Sequence, residues 1–417
     1  MKIVVFNVRY SENLGDGLLS DCMCRALTNN GFEVEVLDLA GRTTVGTSSR
    51  RGLILKLLKI LPPFLRRAIV VTVLSNALAG SRAHWREKID RADGIILGGG
   101  NLFQDDDLNF PLKVGAVLEL AASLGKPLSI FAVGVTPNWS RKGRSLFGRY
   151  QDANLHHLSF RDRLAQENWR SHFNGAPQGE ITPDPGILAG SLYERSNAGH
   201  SETIGLCITA PDVLTRHATQ LPETIPFATL PKIVDLVRHL AARGLKINLF
   251  TNGAREDYRF AESILTECRM SSVADTDTLT LLDRPTTVAE LVETVSRNSV
   301  VIAHRLHACI CAHSLGIPTI GLAWDIKVRG FFESVHRADF CIPDASLDAS
   351  SVVKLVQLSE EQGVDRQTLA AQQDHLTKSL LRAVNFTKVE VTGQSEAPQA
   401  RKQPVWKKAL PVAGSHL

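Results

Sequence analysis

Residues 300–323 read Val300-Val-Ile-Ala-His304-Arg305-Leu-His307-Ala-Cys-Ile-Cys-Ala-His-Ser-Leu-Gly316-Ile-Pro318-Thr-Ile-Gly-Leu-Ala323. The first four residues are apolar and mostly β-branched, which is typical of a buried strand. The spacing predicts a helix over 306–315. Gly316 suits the left-handed position after a helix, and Pro318 prevents its continuation. Residues 319–323 then form the next strand, and such a strand–helix–strand unit implies a parallel sheet.

The corner between the first strand and the helix carries Arg305 and His307. A helix start presents unpaired N–H groups and the positive end of the helix dipole, so it attracts anions. The arginine fork suits carboxylate or phosphate, and histidine can exchange a proton near neutral pH. We interpret the corner as an anion site with an acid–base residue. The alternative is that Arg305 and His307 only cap the helix and pair with neighbouring carboxylates.

The composition is that of an ordinary globular protein, with 44% hydrophobic and 22% charged residues. A length of 417 residues favours two domains. The net charge of +4 is too small for a general nucleic-acid binder. Seven cysteines without a C-x-x-C pair argue against a disulfide framework, and the chain opens on a strand-like run without a signal peptide. We therefore expect a cytoplasmic location.

The first half of the chain opens as a βαβ unit, with strands over 2–6 and 32–39. Asp16 is the expected N-cap of the intervening helix, and the turn 13–16 lies where a doubly wound sheet binds its ligand. A later strand runs into Gly98–Gly100, which predicts a loop that lets backbone approach a ligand closely. That run lacks the Lys-Ser/Thr of a phosphate-binding P-loop. Arg161 follows a short strand and should face the same crevice.

The pattern predicts an α/β protein with two Rossmann-like domains facing across a cleft. The boundaries are an N-terminal domain over 1–190 and a C-terminal domain over 203–345. A helical segment over 350–384 and a polar, disordered tail over 385–417 follow.

Residues 53–73 are strongly apolar but are interrupted by basic side chains, so a transmembrane helix is not expected. Such a segment can lie on an anionic membrane surface, which would place the protein at the inner face of the plasma membrane. We favour instead a pair of helices packed on the sheet with the basic side chains in solvent.

Four side chains are expected to converge on the cleft: Arg161, Arg305, His307 and Lys327. Cations that converge without carboxylate partners would suit a small anion with two or three charges. A metal is disfavoured, because Arg305 between His304 and His307 repels a cation and no acidic ligand is obvious nearby.

At these positions the sequence resembles the polysaccharide pyruvyl transferase family. The resemblance rests on six segments in the family's order: Asn13-Leu-Gly15-Asp16, Gly98-Gly99-Gly100-Asn101-Leu102, Ser159-Phe160-Arg161-Asp162, Pro183-Asp184-Pro185, Arg305-Leu306-His307 and Trp324-Asp325-Ile326-Lys327. It implies a two-domain fold of the GT-B kind. Its implied activity is transfer of a pyruvyl group from phosphoenolpyruvate to sugar hydroxyls, often as a cyclic ketal, in surface polysaccharide biosynthesis. Trp324 stands where many relatives carry Tyr.

The resemblance also implies roles for individual residues. Arg161, Arg305 and His307 would line the phosphoenolpyruvate site, and His307 would deliver a proton as general acid. Asp162 or Asp16 would accept the hydroxyl proton or cap a helix, and we favour capping. The expected partners are phosphoenolpyruvate and an oligosaccharide or lipid-linked oligosaccharide, without a cofactor, a metal or nucleic acid. The remaining predicted substrate-binding residues are Asn13, Gly15, Asp16, Gly99, Gly100, Asn101 and Lys327.

Two other functions stay open at this point. A nucleotide-sugar glycosyltransferase of the same architecture would need an acidic residue on the donor ribose in the second half, and none is convincingly placed. A non-catalytic polysaccharide-assembly protein would use the cleft only to hold a partner enzyme.

Overall fold

The computed structural model describes residues 1–44, 62–194, 203–217 and 224–386. These residues form two parallel sheets of six strands each, flanked by helices. The predicted parallel α/β architecture is therefore confirmed. Of the predicted segments 53–73 and 385–417, residues 53–61 and 387–417 lie outside the described residues.

The first sheet has the strand order β2-β1-β3-β4-β5-β6. Its strands are β1 Lys2–Asn7, β2 Glu33–Asp38, β3 Gly94–Phe103, β4 Pro127–Val135, β5 Asn154–Phe160 and β6 Glu180–Ile181. The helices of this part of the chain are α1 Leu14–Asn29, α2 Pro63–Asp90, α3 Asn109–Leu124, α4 Arg141–Phe147, α5 Arg163–His172 and α6 Ala189–Leu192.

The second sheet has the order β12-β11-β10-β7-β8-β9. Its strands are β7 Thr203–Cys207, β8 Lys246–Phe250, β9 Leu279–Leu281, β10 Val300–Ala303, β11 Thr319–Leu322 and β12 Cys341–Ile342. The helices here are α7 Pro211–His217, α8 Leu230–Ala241, α9 Arg255–Met270, α10 Val288–Ser296, α11 Leu306–Ser314, α12 Ile326–Ser334, α13 Ala349–Gln362 and α14 Arg366–Val384.

The unit β10–α11–β11 is the centre of the second sheet. All four residues of β10 are fully buried, as their apolar character predicts. The backbone turns at Gly316, whose φ of +73° is the left-handed conformation expected after a helix. Because parallel strands end at one edge of the sheet, α11 begins at the edge that faces the first sheet's helix α1.

The triple glycine does not form the expected loop. β3 continues through Gly98–Gly100 to Phe103, with a register shift against β4 beyond Gly100. A Cβ at Gly98 would lie 2.5 Å from the carbonyl oxygen of Phe131, and one at Gly99 would lie 2.5 Å from Leu19. Gly98 and Gly99 have no room for a side chain, because Phe131 and Leu19 pack directly on their backbone. The prediction of a loop at Gly98–Gly100 is therefore wrong.

The predicted C-terminal helical segment divides between the two sheets. α13 packs against α8 and β11 of the second sheet, whereas α14 crosses back to the first. There the Ser129 hydroxyl donates to the carbonyl of Ala383 at 2.5 Å, and Arg382 pairs with Glu180 at 2.8 Å. α14 thus ties the two halves of the molecule together.

The two halves of α2 differ in burial. Leu78, Trp85 and Ile89 are buried, and Trp85 packs edge-on against Phe6 of β1 at 5.3 Å. The first half instead exposes large apolar side chains. The predicted segment 53–73 is described only from residue 62, and the turns of α2 that pack on the sheet lie beyond it. Within the described ranges, the helices are too short or too polar to cross a bilayer.

Candidate functional site

The candidate site lies where the N-termini of α1 and α11 meet. The Leu14 N–H donates to the carbonyl of Asn252 at 2.8 Å, which joins the start of α1 to the loop after β8. Gly15 lies directly against His307, and a Cβ added there would be 2.5 Å from its Nδ1. The predicted anion site at the start of α11 and the predicted ligand-binding turn 13–16 are therefore neighbours in space.

The backbone N–H groups at the start of α1 already have acceptors within the protein. Its N-cap is Asn13, whose side chain accepts from the Gly15 N–H and whose carbonyl accepts from the Asp16 N–H at 3.2 Å. The expectation that Asp16 caps this helix is wrong, because Asp16 lies in the first turn rather than before it. Among the described residues the Asp16 carboxylate has no hydrogen-bond or ion-pair partner.

The start of α11 is open by comparison. Its N-cap position is Arg305, which provides no side-chain cap. The Ala308 N–H donates to the Arg305 carbonyl at 3.0 Å, whereas the N–H groups of Leu306 and His307 have no acceptor within the part of the chain that is described. This helix start, rather than that of α1, can still receive an anion.

Arg305 is held by a buried carboxylate. Its Nε and Nη2 donate to the same oxygen of Asp257, at 3.0 and 2.5 Å. The other oxygen of Asp257 accepts from the Ala210 N–H at 2.9 Å, and Asp257 is fully buried. Both bonds use the same side of the guanidinium. The two N–H groups of Arg305 Nη1 therefore have no hydrogen-bond partner among the described residues.

His307 sits beside a second buried carboxylate. Its Nε2 lies 3.7 Å from Oδ2 of Asp184, and only 12% of its side chain is exposed. The other Asp184 oxygen accepts from the Gly186 N–H at 2.9 Å and so caps the 3₁₀ helix Pro185–Leu188. Burial alone favours the neutral acid, but His307 and Arg161 hold the pKa of Asp184 below its usual range. Asp184 is thus an ionised carboxylate that faces the imidazole at ion-pair distance, without a hydrogen bond between the two side chains.

Arg161 follows β5, as predicted, and pairs with its neighbour Asp162 at 3.0 Å. Asp162 also accepts from the Ala165 N–H at 2.8 Å, which makes it the N-cap of α5. The Asn101 amide and the Arg161 guanidinium both lie against Gly134 on β4. Arg161 and Asn101 are thereby brought together at the end of the first sheet.

Lys327 reaches the same region from the second sheet. Its Nζ lies 3.2 Å from Asp325 and 5.2 Å from the ring centroid of Trp324. The Trp324 Nε1–H donates to the carbonyl of His304 at 2.7 Å, so this aromatic positions the backbone before Arg305.

A cavity of about 200 Å³ opens beside Arg161 and Lys327, between the two sheets. Apolar side chains form much of its wall, and α14 closes one side with Gln372 and His375. The apolar lining residues are Ile181, Ile187, Leu306, Ile310, Phe331 and Val335.

The expectation of cations without carboxylate partners is wrong. Each of the four predicted side chains has an aspartate beside it, which is Asp162, Asp257, Asp184 or Asp325. The physical reason is that a buried cation without a counterion is too costly to hold in a folded chain. The positive charges of these side chains are therefore nearly balanced by the four aspartates, which also restrict the orientation of the basic side chains.

Sequence reasoning missed two residues of this arrangement, Asp184 and Asp257. In the sequence, Asp184 is only one member of the Pro183-Asp184-Pro185 segment, and its pairing with His307 has no local signal. Asp257 lies in the first turn of α9, the helix that comes after β8, and an acidic residue near that edge of a parallel sheet is a usable signal.

His304 has a structural role rather than a place in the candidate site. It is fully buried, its Nε2 is 2.9 Å from the carbonyl oxygen of Pro226, and burial lowers the pKa of His304 to about 4. It is therefore a neutral imidazole that braces the loop 224–228. The described residues contain no group of three or more side chains that could hold a metal ion.

Comparison with solved structures supports the fold. The chain is similar to UDP-GlcNAc 2-epimerase of Methanocaldococcus jannaschii, at 8% identity over 91% of this chain and 99% of the other, with a TM-score of 0.52. It is similar to UDP-GlcNAc 2-epimerase of Neisseria meningitidis bound to UDP-GlcNAc, at 11% identity over 92% and 100%, with a TM-score of 0.50. The spinosyn rhamnosyltransferase SpnG matches at 15% identity over 92% and 97%, with a TM-score of 0.46. The fold is GT-B-like, as predicted.

The family comparison agrees with the segments that carry the resemblance. No curated protein matches the chain. A family model described as polysaccharide pyruvyl transferase matches residues 13–326, which are about three quarters of the sequence. This span begins at the Asn13 cap of α1 and ends at the start of α12, so it includes both helix starts. The chain belongs to the polysaccharide pyruvyl transferase family.

Proposed function

We propose that this protein transfers the pyruvyl group of phosphoenolpyruvate to hydroxyl groups of a polysaccharide precursor. The observation that carries the proposal is the open N-terminus of α11, where Arg305 is fixed by Asp257 and His307 lies between Gly15 and Asp184. The family match supports the reaction class. The donor and the acceptor are the proposed part.

Phosphoenolpyruvate has a carboxylate and a phosphate, and each would need its own group of donors. The free N–H groups of the α11 start and Nη1 of Arg305 would bind one anionic group. Arg161, with Asn101 beside it, would bind the other from the first sheet. The paired aspartates lower the net positive charge, but they leave the free edges of both guanidinium groups already oriented.

In the proposed reaction His307 delivers a proton to the methylene carbon of phosphoenolpyruvate, which becomes the methyl group. The adjacent carbon develops oxocarbenium character and is attacked by a sugar hydroxyl, which loses its proton. The bond from that carbon to the phosphate oxygen then breaks, and inorganic phosphate leaves. Attack by a second hydroxyl at the same carbon closes the ketal. The Asp184 carboxylate lies 3.7 Å from the imidazole Nε2 that would deliver this proton.

Asp16 is the best-placed acceptor for the hydroxyl proton. Asp162 is already used as the α5 cap and as the partner of Arg161. The Asp16 carboxylate is partly exposed, lies in the first turn of α1 and has no partner within the described ranges.

The direct test is incubation of the protein with phosphoenolpyruvate and a panel of oligosaccharides, some of them lipid-linked, with phosphate release measured beside the mass of the sugar product. We expect release of phosphate only with a competent acceptor. For a ketal, the product should be heavier than the acceptor by the mass of pyruvate minus one water. Phosphate release without a sugar adduct would contradict pyruvyl transfer. Turnover of a nucleotide sugar without phosphoenolpyruvate would favour the glycosyltransferase alternative.

A further inference from the structure

The cavity beside Arg161 and Lys327 is too large to be an ordinary packing void. Its volume is about 200 Å³, whereas a single buried water needs roughly 10–15 Å³ of such space. Arg161, Asp184 and Lys327 lie on its wall, so the cavity is continuous with the candidate site. The chemistry of the remaining wall therefore indicates what kind of molecule binds next to the donor.

The far side of the cavity is formed by α12 and α14. The residues that line it are Phe331, Ser334 and Val335, in and directly after α12, and Gln372 and His375 of α14. All five follow residue 326, where the match to the family ends. A wall outside the region shared with the family is suited to select a substrate that is particular to this protein.

The α14 wall is held in place from both sides of the cavity. Gln373 Nε2 donates to the carbonyl of Ile187 at 2.9 Å, and His375 Nε2 lies 3.1 Å from the carbonyl oxygen of Ile181. Both carbonyls belong to residues that line the cavity. The wall is thus preformed, which lowers the entropic cost of binding a ligand.

Gln372 has one hydrogen-bonding atom without a partner at this wall. Its Nε2 donates to the carbonyl of Ser334 at 2.9 Å. A carbonyl can only accept, so this bond fixes which end of the amide is the nitrogen. The Oε1 atom is buried and has no hydrogen-bond partner among the described residues. A buried acceptor without a partner costs free energy, so a ligand that supplies an O–H or N–H group is favoured there.

Asp184 adds a second acceptor without a partner. One of its oxygens accepts from the Gly186 N–H, whereas the buried Oδ2 has no hydrogen bond within the part of the chain that is described. The carboxyl is ionised, because His307 and Arg161 hold the pKa of Asp184 below its usual range. A ligand with two hydrogen-bond donors at separate positions would therefore satisfy both Asp184 and Gln372.

The remaining wall restricts the class of ligand further. Apolar side chains form much of it, namely Ile181, Ile187, Leu306, Ile310, Phe331 and Val335. A pyranose ring has hydroxyl donors around its edge and C–H groups on its faces, so it complements both the acceptors and the apolar side chains. An acyl chain lacks the donors, and a small inorganic anion lacks the apolar surface.

We propose that this cavity binds a pyranose residue of the acceptor, with Gln372 Oε1 and Asp184 Oδ2 accepting hydrogen bonds from two of its hydroxyl groups. The inference rests on the proposed function, since it takes the sugar beside Arg161 to be the one that receives the pyruvyl group. Gln372 then determines acceptor specificity and has no part in binding the donor.

The test measures sugar binding and donor binding separately. The full chain is titrated with methyl glycosides of glucose, galactose, mannose and their 2-acetamido derivatives by saturation-transfer NMR, and with phosphoenolpyruvate by calorimetry. We expect at least one glycoside to bind the parent protein. Gln372→Leu should weaken its binding by about five- to tenfold, as for the loss of one hydrogen bond, and leave phosphoenolpyruvate affinity unchanged. Gln367→Leu, at an exposed position on the same helix, is the matched control and should bind like the parent.

A second variant makes the test independent of hydrogen bonding. Val335→Phe adds volume to the apolar wall and should weaken glycoside binding by about tenfold or more. Phosphoenolpyruvate affinity should again stay at the parent value. A urea titration of each variant checks that it is folded before its affinities are compared.

Four results would overturn the proposal. The first is a parent protein that binds none of the glycosides. The second is equal loss of glycoside affinity in Gln372→Leu and Gln367→Leu. The third is normal glycoside binding in folded Gln372→Leu and Val335→Phe, because the sugar would then bind elsewhere. The fourth is a Gln372→Leu variant that loses phosphoenolpyruvate affinity instead, because the cavity would then belong to the donor.

Failure of the proposed function would look different. A parent protein that binds a glycoside through Gln372 but does not bind phosphoenolpyruvate would retain the sugar cavity and exclude phosphoenolpyruvate as the donor.

Discussion

The starts of α1 and α11 face one another, yet they differ in what satisfies their N–H groups. At α1, Asn13 caps the helix and the Asn252 carbonyl accepts from Leu14, so the backbone donors serve the fold. At α11, the cap position is occupied by Arg305, which turns its side chain to Asp257 and leaves the helix start uncapped. The sequence marks both helix starts as candidate ligand sites, but they differ in function. The start of α1 joins the two halves of the molecule, whereas the start of α11 can bind a ligand.

The largest expected effect is on chemistry at the α11 start. His307→Gln keeps a hydrogen-bond donor but cannot deliver a proton, so single-turnover pyruvyl transfer should fall by roughly 10²–10⁴-fold with a smaller change in donor affinity. His307→Ala should be similarly slow. A His307→Gln enzyme that turns over at the parent rate would mean that the general acid lies elsewhere.

The next effect is on stability. Arg305→Ala leaves the fully buried Asp257 without a cation and should lower the free energy of unfolding by roughly 3–5 kcal/mol, measured by urea denaturation. Adding Asp257→Asn should recover part of the loss, because it removes the unpaired charge. The exposed pair Arg163–Glu167 is the control, and Arg163→Ala should cost about 0–1 kcal/mol. Equal costs for Arg305→Ala and Arg163→Ala would show that the buried pair is unimportant.

The close approach of the two helix starts can be tested at Gly15. A Cβ there would lie 2.5 Å from the His307 ring, so Gly15→Ala should cost roughly 1–3 kcal/mol by overpacking and should displace His307. Turnover should fall with it. Gly80→Ala, on α2 with no atom within 4 Å of the added methyl, should be neutral or stabilising by about 0.5–1 kcal/mol. If both variants behave alike, the two helix starts are not in contact.

A pH measurement tests whether His304 is a buried neutral imidazole. Burial lowers the pKa of His304 to about 4, so between about pH 6.5 and 4 the unfolded chain binds a proton that the native state does not. This contribution to stability is present above pH 6.5 and is lost as pH falls. His304→Gln should therefore reduce the slope of unfolding free energy against pH by up to about 1.4 kcal/mol per pH unit. An unchanged slope in His304→Gln, with the exposed His84→Gln as control, would count against a buried neutral imidazole.

The smallest stability effect is expected at Asp16. Its carboxylate interacts with the α1 dipole but caps nothing, so Asp16→Asn should cost only about 0.3–1 kcal/mol. Asn13→Ala, which removes the actual cap, should cost about 0.5–2 kcal/mol. If Asp16→Asn folds normally but loses turnover, Asp16 is the proton acceptor. If it retains both, that role belongs to another group.

The sequence by itself determined the elements of this protein and their class. The buried run at 300–303, the stop at Gly316 and Pro318, and the position of Arg161 after β5 follow from local rules of burial, backbone conformation and strand polarity. The order of six short segments also identified the family, because each segment consists of residues that are adjacent in the chain and can be read without the tertiary structure.

The tertiary structure alone decided which groups meet. Asp257 reaches Arg305 across 48 residues and Asp184 reaches His307 across 123, and no periodicity in the chain predicts either pair. The same holds for the Asn13 cap, the buried path of Gly98–Gly100 and the return of α14 to the first sheet. Buried charges must be neutralised by whatever carboxylate the fold brings near, and that choice depends on packing between distant elements.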